Sequence, residues 1–496
     1  MKHDPTIWSR LLSPLFVAAA ALAQSTAPAS PSVAPRPLEV QSPDEAAELK
    51  REPAPITEAR VRESLTWLAS DERNGRDCPS PGLEASAEWL VERFKKAGLA
   101  PGTGTAFRHT YTLPGQRLDS TMLVLKAKLS VDGVGKEIEW KGDVDVRLLA
   151  GSAEADGAAV DATVVLPSDP RLPNVLQRGG SRKPTVVVVA EDHPMWVACA
   201  GSRDLLSRRL RNSAPVFLVR DKALPESVLK AQEGATNAPR GTDAQPPSWS
   251  IEWIGAASTP VDIPLSNVVG VLRGAVKPDE YVVVSAHYDH IGTTIPVDGD
   301  AICNGADDDA TGTTAVVLLA EKMAQDPRSE RSIAFVCFSA EEKGLRGSAA
   351  FADSPPFPLE SIVANINIEM LGRPQEGKRK SAWITGADYS DFAAIATEAL
   401  QQGGIEVIEF QQAKALFAQS DNLSFVRKGI VAHSISAGSL HADYHRPSDE
   451  VSRIDVPHMT AVIQGMEHVV RAFADRAARP QWTAEGDRVV QRLRDQ

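Results

Sequence analysis

The sequence has few of the residues that would indicate several common classes of protein. Its 496 residues include only four cysteines, and none of them forms a C-x-x-C pair, so neither a disulfide scaffold nor a paired-cysteine zinc site is indicated. Lys and Arg number 53 against 65 Asp and Glu, without a basic cluster, which argues against nucleic-acid binding. No G-x-S-x-G run occurs, so nucleophilic serine catalysis has little support.

Long apolar runs are also scarce, and the one of note lies at the N-terminus. Lys2 and Arg10 precede an apolar stretch from Leu11 to Ala23, which ends in Ala-Leu-Ala. This pattern is typical of a cleaved secretory signal. A membrane anchor is the alternative, but the stretch is shorter than the roughly 20 residues that span a bilayer. We expect an exported protein, periplasmic or extracellular, with no membrane contact after signal cleavage.

Shifts in composition divide the chain into segments. Residues 24–55 are rich in Ala, Pro and Ser and bury too little apolar surface to order themselves. Between 120 and 260, short β-like runs alternate with Gly, Pro and Asp, which indicates a β-rich insert, with extra strands of one large domain as the alternative. The predicted ranges are signal 1–23, linker 24–55, first part of the main domain 56–119, insert 120–260, remainder of the main domain 261–475 and C-terminal tail 476–496.

From residue 268 onward, apolar strand-like runs alternate with helical segments. This alternation predicts an α/β fold with a mixed, mostly parallel sheet that is sandwiched by helices. In such sheets, binding sites form beyond the carboxyl ends of the strands. Because His287, Glu341, Glu342 and Glu369 each follow a predicted strand, we expect them to converge.

Two histidines occur in the run AHYDHIG, after a predicted strand. His287 follows the strand directly. Asp289 is positioned to accept the second ring N–H of His287, as carboxylates commonly do for metal-bound imidazoles. A histidine at the end of a strand is more often structural than ligating, and we interpret His290 in this way.

Three adjacent aspartates, Asp307, Asp308 and Asp309, lie in a glycine-bounded loop before a predicted helix. Helix capping explains one of them, for which we choose Asp309. Three neighbouring carboxylates repel one another unless a cation is present, so at least one is expected to bind metal. We choose Asp307 as a bridging ligand.

The remaining candidates are also charged residues close to strands or in a loop. Neighbouring side chains of an extended chain point apart, so one of Glu341 and Glu342 can bind metal while the other acts as a base. Glu369 has apolar neighbours, which is costly for a charge unless it binds metal or, as the alternative, pairs with Arg373. In the run HADYHRPSDE, residue chemistry alone leaves the choice between His441 and His445 open.

Taken together, two imidazoles and several carboxylates are the ligand set of two zinc-class ions that share one carboxylate. The residues therefore predict a two-metal hydrolase. The cysteines add nothing to this prediction: Cys337 is expected to be a buried thiol, and a bridge between Cys78 and Cys303 is left open.

The motifs AHYDHIG, NGADDDATGTTA, FSAEEKGLRGS, NINIEMLGR and DYHRPSDE occur in the order found in the M28 zinc peptidases, of the aminopeptidase Y and bacterial leucyl aminopeptidase type. The chain resembles this family over about Leu265 to Phe473, and again from Leu68 to Phe94. The resemblance implies a zinc-exopeptidase fold of the phosphorylase/hydrolase-like class. It also implies two Zn²⁺ ions per chain and peptide substrates with a free N-terminus.

The resemblance also assigns roles. Asp307 would bridge both ions, with His287 and Glu369 at one ion and Glu342 and His445 at the other. Glu341 would be the general base, Asp289 would orient His287, and Tyr444 would donate to the oxyanion. The closing motif Tyr-His-x-Pro-x-Asp selects His445 over His441, and the family's cis peptide bond would join Asp307 to Asp308.

The chain departs from the family pattern in three places. Glu369 stands where many members have Asp, Asn422 stands where many have His, and the insert resembles a protease-associated domain only faintly. We expect an exported di-zinc aminopeptidase. The alternatives are a carboxypeptidase or a glutaminyl-cyclase-like activity on the same scaffold, or an inactive binding module.

Overall fold

The computed structural model describes residues 54–131, 134–150, 159–167, 169, 172, 175, 183–206, 214–236, 248–255 and 257–495. The predicted signal over residues 1–23 lies outside this range, as does the predicted linker except for its last two residues. No helix within the described ranges is long and apolar enough to cross a bilayer.

The strands are numbered in chain order. They are β1 (Ala100–Pro101), β2 (Arg108–Asp119), β3 (Val124–Val131), β4 (Val134–Lys141), β5 (Val146–Ala150), β6 (Val160–Asp161), β7 (Thr163–Val165), β8 (Thr185–Val189), β9 (Ser202–Leu206), β10 (Val216–Arg220), β11 (Ser248–Ile254), β12 (Ala257–Leu272), β13 (Lys277–His287), β14 (Thr293–Val297), β15 (Asp300–Ile302), β16 (Arg331–Phe338), β17 (Ile362–Glu369), β18 (Ser381–Ile384), β19 (Glu406–Val407) and β20 (Ala432–Ser436).

The α-helices are numbered in the same way. They are α1 (Glu58–Leu68), α2 (Pro81–Ala97), α3 (Pro194–Ala198), α4 (Glu226–Thr236), α5 (Thr311–Met323), α6 (Arg346–Asp353), α7 (Phe392–Gln402), α8 (Ala413–Leu416), α9 (Asn422–Arg427), α10 (Val456–Asp475) and α11 (Ala484–Arg494).

A mixed sheet in the order β19-β18-β20-β17-β13-β16-β12-β2-β9, with β1 beside β12, organises the fold. Its centre is parallel, because β13 pairs in parallel with both β16 and β17, and β17 pairs in parallel with β20. Strands β12, β2 and β9 extend it as antiparallel neighbours. The predicted α/β fold is confirmed, although the sheet is parallel only in its central strands and in the short β18–β19 pair.

Helices cover both faces of this sheet, because the central strands are apolar on both sides. In β13, Val282 and Val284 face the core that contains α1, α2, α5 and α10, whereas Val283 faces the core that contains α6, α9 and α11. Alternate residues of a strand point to opposite faces, so an uninterrupted apolar run fits a sheet covered on both sides.

Two further four-stranded sheets, in the orders β5-β10-β8-β7 and β4-β3-β11-β6, come from the range predicted as a β-rich insert. One strand of the same range, β9, pairs instead with β2 at the edge of the large sheet. Helix α3 packs against β14. The two sheets of the insert therefore have their own cores. Strand β9 connects the insert to the main sheet, and helix α3 connects it to the β14–β15 hairpin.

The predicted C-terminal tail contains helix α11, whose Val490 is buried against the main sheet's second core. The four cysteines, Cys78, Cys199, Cys303 and Cys337, are all buried free thiols. Cys337 therefore has the state expected from its apolar surroundings, and the structure contains no bridge between Cys78 and Cys303.

A buried arginine fixes the loops at the carboxyl end of β13. The Arg76 side chain donates from Nε to the Tyr288 carbonyl oxygen at 2.9 Å and from Nη1 to those of Leu68 and Asn304, both at 2.7 Å. Its Nη2 donates to the Gly305 carbonyl oxygen at 3.0 Å. Burial lowers the pKa of Arg76 to about 10, which leaves the guanidinium charged at neutral pH. One charged group therefore joins the loop after β13 to the loop before α5.

Candidate metal centre

Three neighbouring parallel strands deliver charged side chains to one edge of the sheet. His287 is the last residue of β13, Glu369 is the last residue of β17, and Glu341 and Glu342 follow β16 closely. Since β13 lies between β16 and β17, these side chains converge at the carboxyl ends of the strands, where sites form in sheets of this class.

Two groups of donor atoms form at this edge. Within each group, one nitrogen or oxygen of every residue lies within 4.8 Å of the others. The first group is His290, Asp308, Glu342 and His445, and the second is His287, Asp308 and Glu369. Four of the five predicted metal ligands, His287, Glu342, Glu369 and His445, are thus brought together. Their role as ligands stays a prediction.

Asp308 belongs to both groups because its two carboxylate oxygens face different ways. Its Oδ1 lies 3.3 Å from Nε2 of His287, and its Oδ2 lies 3.1 Å from Nε2 of His445. Each group is completed by one glutamate: Glu369 Oε2 lies 3.6 Å from His287 Nε2, and Glu342 Oε1 lies 3.1 Å from His445 Nε2. Asp308 is therefore the carboxylate in the position to bridge two ions.

This geometry corrects the choice of Asp307, which belongs to neither group. Asp307 Oδ1 accepts from the Gly372 backbone N–H at 2.7 Å, and its Oδ2 lies 3.1 Å from His441 Nε2. The cis peptide bond is likewise one position later than expected, between Asp308 and Asp309. Asp307 thus points away from the two groups because the loop after Glu369 and the His441 ring hold its carboxylate.

Asp309 has the capping role expected of it. Its Oδ1 accepts from the Gly312 N–H in the first turn of α5 at 3.0 Å and from the Met370 N–H at 3.1 Å. The second contact reaches the residue after Glu369. The three adjacent aspartates therefore serve three different purposes, and only Asp308 faces both donor groups.

His290 was interpreted as structural, and the structure places it in the first donor group instead. The ring is fully buried, with Nδ1 2.9 Å from Glu342 Oε1 and 3.8 Å from Asp308 Oδ2. One weak sign of this role is visible in the sequence, since His290 lies three residues after His287 in the same loop. Its surroundings are formed by distant segments that no local pattern reveals.

Asp289 supports the site in a different manner from the one expected. The Nδ1 atom of His287 lies 3.1 Å from the backbone carbonyl oxygen of Asp289 and 3.7 Å from its carboxylate. That carboxylate accepts from the backbone N–H groups of Glu341 at 3.0 Å and Glu342 at 3.3 Å. Burial raises the pKa of Asp289 to about 6, and His287 opposes the rise. Asp289 therefore fixes the histidine through its backbone and the glutamate pair through its side chain.

Asp449, within the quoted motif DYHRPSDE, is a supporting residue that received no role from the sequence. Its carboxylate is fully buried and accepts from the Asp307 N–H at 3.1 Å and from the Asp308 N–H at 3.2 Å. Burial raises the pKa of Asp449 to about 7, and the charge of Asp307 adds to this. The segment that carries His445 thereby holds the backbone of the shared aspartate.

Glu341 belongs to neither donor group and is half-buried beside them. Burial raises its pKa well above the usual range; His287 opposes the shift, while Glu342 and Asp421 add to it. Ala340, directly before it, has a φ of 57°, a left-handed conformation that is uncommon for a residue with a side chain. This turn separates Glu341 from the end of β16.

Glu369 is held on one side by polar neighbours. Its Oε1 accepts from Asn367 Nδ2 at 3.0 Å and from the Ser420 hydroxyl, so Oε2 is the oxygen that faces His287. The alternative of a pair with Arg373 is not formed, because Arg373 pairs with Asp443 at 2.9 Å.

The candidate Tyr444 lies in the same loop as His445. Tyr444 stacks on His445 with ring centroids 3.9 Å apart and is 43% exposed, so it lies beside the first donor group at the surface. Its role as an oxyanion donor stays a prediction.

Asn422 is fully buried, and its side-chain amide is engaged inside the protein. It donates to the Phe417 carbonyl oxygen at 2.8 Å and accepts from the Ser434 hydroxyl at 3.0 Å.

The donor atoms fit zinc-class ions by their chemistry and by their lack of other partners. Nδ1 of His290, Oδ2 of Asp308 and Nε2 of His445 are buried, and the close contacts they make within the described residues are to one another and to Glu342. Nε2 of His290 is also buried and has no hydrogen bond there, although buried polar atoms normally have one. Imidazole nitrogens and carboxylate oxygens are common zinc ligands, and one shared carboxylate is a feature of two-metal sites.

Comparison with known proteins shows what the part of the chain that carries the site is similar to. Residues 267–470 match the sequence model of peptidase family M28. Aminopeptidase YwaD of Bacillus subtilis is 25% identical over 206 residues, which are 38% of this chain and 40% of that protein. Leucine aminopeptidase 1 of Ajellomyces capsulatus is 28% identical over 211 residues, 39% of this chain and 52% of that protein. A probable zinc metalloprotease of Leptosphaeria maculans is 30% identical over 156 residues, 30% of this chain and 36% of that protein.

The match to these curated relatives thus spans only about a third to a half of their length. Among solved structures, a zinc aminopeptidase from Bacillus subtilis aligns with a TM-score of 0.52 at 17% identity, covering 86% of this chain and 97% of that one. At this identity the alignment supports the fold alone. The sequence match shows that residues 267–470, less than half of the chain, are similar to peptidase family M28.

Proposed function

We propose that the protein is a di-zinc aminopeptidase that removes N-terminal residues from peptides. The observation that carries the proposal is the carboxylate of Asp308, which has one oxygen in each of two donor groups. Glu341, a carboxylate outside both groups, lies beside them and is partly accessible. A shared carboxylate and an adjacent base are the parts that two-metal hydrolysis requires.

Two Zn²⁺ ions would be held by the two groups, one by His290, Asp308, Glu342 and His445 and the other by His287, Asp308 and Glu369. When bound, such ions polarise the scissile carbonyl and lower the pKa of water. Residues of the chain would carry out the proton transfers. Glu341 would take a proton from the attacking water and transfer it to the leaving amine. Asp289 would keep Glu341 in place through the Glu341 N–H.

The charges around the site favour a substrate with a free amino group. Asp421 is fully buried, and neither of its carboxylate oxygens has a hydrogen bond within the described residues. Burial raises the pKa of Asp421 to about 7, so at neutral pH it is partly ionised and adds negative charge near His287 and Glu369. A negative field of this kind attracts the ammonium group of a peptide N-terminus.

The candidates for binding a terminal carboxylate, as a carboxypeptidase requires, are engaged elsewhere. Arg373 pairs with Asp443 at 2.9 Å, and Arg427 donates to the Leu493 carbonyl oxygen at 3.2 Å. A glutaminyl-cyclase-like site needs one metal and would leave one of the two donor groups without a purpose. An inactive binding module would have no need of a complete donor set.

Export of the protein is part of the proposal and rests on the sequence pattern of residues 1–23. We expect the enzyme in the periplasm or outside the cell, with cleavage after Ala23. N-terminal sequencing of protein recovered from those fractions checks this expectation, and recovery of the intact N-terminus in the cytoplasm would contradict it.

Replacing Glu341 by Gln should lower kcat for a free tripeptide by about 10²- to 10⁴-fold, the usual contribution of a positioned base. Metal content should stay unchanged, because Glu341 lies in neither donor group. Steady-state kinetics together with elemental analysis measure both quantities. Glu398→Gln, an exposed change on α7, is the matched control. Activity of Glu341→Gln within a few-fold of the parent would remove Glu341 from the role of base.

Substitutions of Asp307 and Asp308 should differ clearly in their effect on the metal content of the protein. Asp308→Asn should reduce retained zinc to less than one ion per chain, because both groups lose a charged oxygen. Asp307→Asn should keep two ions, since Asp307 contacts Gly372 and His441 instead. Elemental analysis after dialysis measures the difference. Loss of zinc from Asp307→Asn with retention in Asp308→Asn would reverse the assignment.

Blocking the substrate at either end tests the class of peptidase. Acetylation of the peptide N-terminus should abolish cleavage, because it removes the ammonium charge, whereas amidation of the C-terminus should change kcat/KM only slightly. Mass spectrometry of the products identifies the released residue. Undiminished cleavage of the acetylated peptide, with loss of activity on the amidated one, would instead indicate a carboxypeptidase.

A further inference from the structure

We infer that the two ions of the centre are held unequally, because His290 is a fourth protein ligand of one of them. The inference rests on the proposed two-ion function and goes beyond it. The first group contains four donor residues, His290, Asp308, Glu342 and His445, and the second contains three.

The position of His290 is fixed from several sides. Its backbone N–H donates to the Arg76 carbonyl oxygen at 3.1 Å. Its ring lies against Gly305, where a Cβ atom would come within 2.5 Å of the ring carbons. The ring also meets that of His445 at 73° with centroids 5.5 Å apart. Nδ1 is thereby directed at Glu342 and Asp308 without any movement of the chain.

Other buried histidines of this chain show what a structural imidazole looks like. His433 has both ring nitrogens engaged, Nδ1 with the Thr385 carbonyl oxygen at 2.6 Å and Nε2 with the Ser390 hydroxyl at 2.7 Å. His458 likewise uses Nδ1 with the Lys380 N–H at 2.9 Å and Nε2 with the Ala437 carbonyl oxygen at 3.0 Å.

His290 differs from both. It is equally buried, yet within the described residues its Nε2 has no hydrogen bond, and its Nδ1 faces the carboxylates of Glu342, at 2.9 Å, and Asp308, at 3.8 Å. Both carboxylates belong to the first donor group, so an imidazole nitrogen directed at them is in the position of a further ligand to the same ion. The close approach of Nδ1 to Glu342 and Asp308 puts it among the atoms that would surround that ion.

Unequal donor sets have a functional consequence. Zinc sites with four protein ligands are closed, whereas catalytic zinc sites keep three protein ligands and an open position. The ion beside His290 would therefore be the tightly held one. The ion beside His287 and Glu369 would be the weaker one, with the open position that water or a substrate group takes.

The competing explanation is that His290 only donates a hydrogen bond to Glu342 and so supports that ligand. Loss of such a partner typically weakens metal binding by about 10- to 100-fold. The full chain with one equivalent of zinc separates the two explanations. X-ray absorption at the zinc edge should report two imidazoles on this ion, from His290 and His445, and one imidazole in the variant His290→Gln.

Titration of metal-free protein with zinc against a competing chelator provides the second measurement. His290→Gln should weaken the tighter step by more than about 100-fold and leave the weaker step unchanged. Gln retains an N–H donor, so a role limited to the hydrogen bond would largely survive this change. His441→Gln is the matched control, since His441 faces Asp307 outside both groups, and its imidazole count should equal that of the parent.

One imidazole on the first ion in both the parent and His290→Gln would overturn the inference and leave the two-ion site intact. Failure of the parent to bind zinc at all would instead overturn the proposed function. Circular dichroism melts of the metal-free variants check that the fold is retained. If His290→Gln does not fold, His290→Asn replaces it in both measurements.

Discussion

The structure at the carboxyl end of the sheet depends on holding several carboxylates together where water is largely excluded. An unpaired charge there is costly, so each carboxylate needs donors. Backbone N–H groups supply them for four aspartates: those of Glu341 and Glu342 for Asp289, of Gly372 for Asp307, of Gly312 and Met370 for Asp309, and of Asp307 and Asp308 for Asp449. Among the described residues, Asp308 is the aspartate of the Asp307–Asp309 run whose carboxylate receives no backbone N–H bond, and its carboxylate oxygens lie closest to the imidazoles of His287 and His445. It shares the two donor groups with Glu342 and Glu369.

The same bonds position the donor groups. Each aspartate that is satisfied by the backbone joins two of the loops that carry candidate ligands, and Arg76 adds four carbonyl contacts beneath them. The backbone is forced into left-handed conformations at Ala340, Met370 and His445, with φ of 57°, 47° and 56°. Such conformations persist where the surroundings determine them and concentrate at functional sites. The donor arrangement is therefore held in place by the backbone contacts of these loops.

Much of the site could be predicted from strand ends, and the rest could not. His287 and Glu369 end buried strands and Glu342 follows another closely, so placement in a parallel sheet is enough to bring them together. Asp307 and Asp308 are adjacent in a loop of irregular backbone, where Asp308 has a φ of −108° and a ψ of 99°. Gly372 and His441, both far away in the sequence, hold the carboxylate of Asp307 outside the two donor groups, so the local pattern could not show that Asp308 is the one inside them.

His290 was missed for a related reason. Its local sequence is that of an ordinary histidine after a strand. Its distinctive property, within the described residues, is a buried ring with no hydrogen bond at Nε2 and with Nδ1 directed at the carboxylates of Glu342 and Asp308. That property arises from packing against Gly305 and His445, which only the folded chain brings close. Sequence patterns report where a side chain is attached, whereas the partners it lacks are a property of the tertiary structure.

Two departures from the pattern of the family that the chain resembles, Glu369 and Asn422, lie close to the segment that contains Ser420. Glu369 is longer than the Asp of many family members, and the Ser420 hydroxyl and Asn367 bind its Oε1 and so turn Oε2 toward His287. Asn422, two residues after Ser420, binds the Phe417 carbonyl oxygen and the Ser434 hydroxyl, which fixes the start of α9. The amide of Asn422 is thus engaged inside the protein, two residues after the serine that orients Glu369.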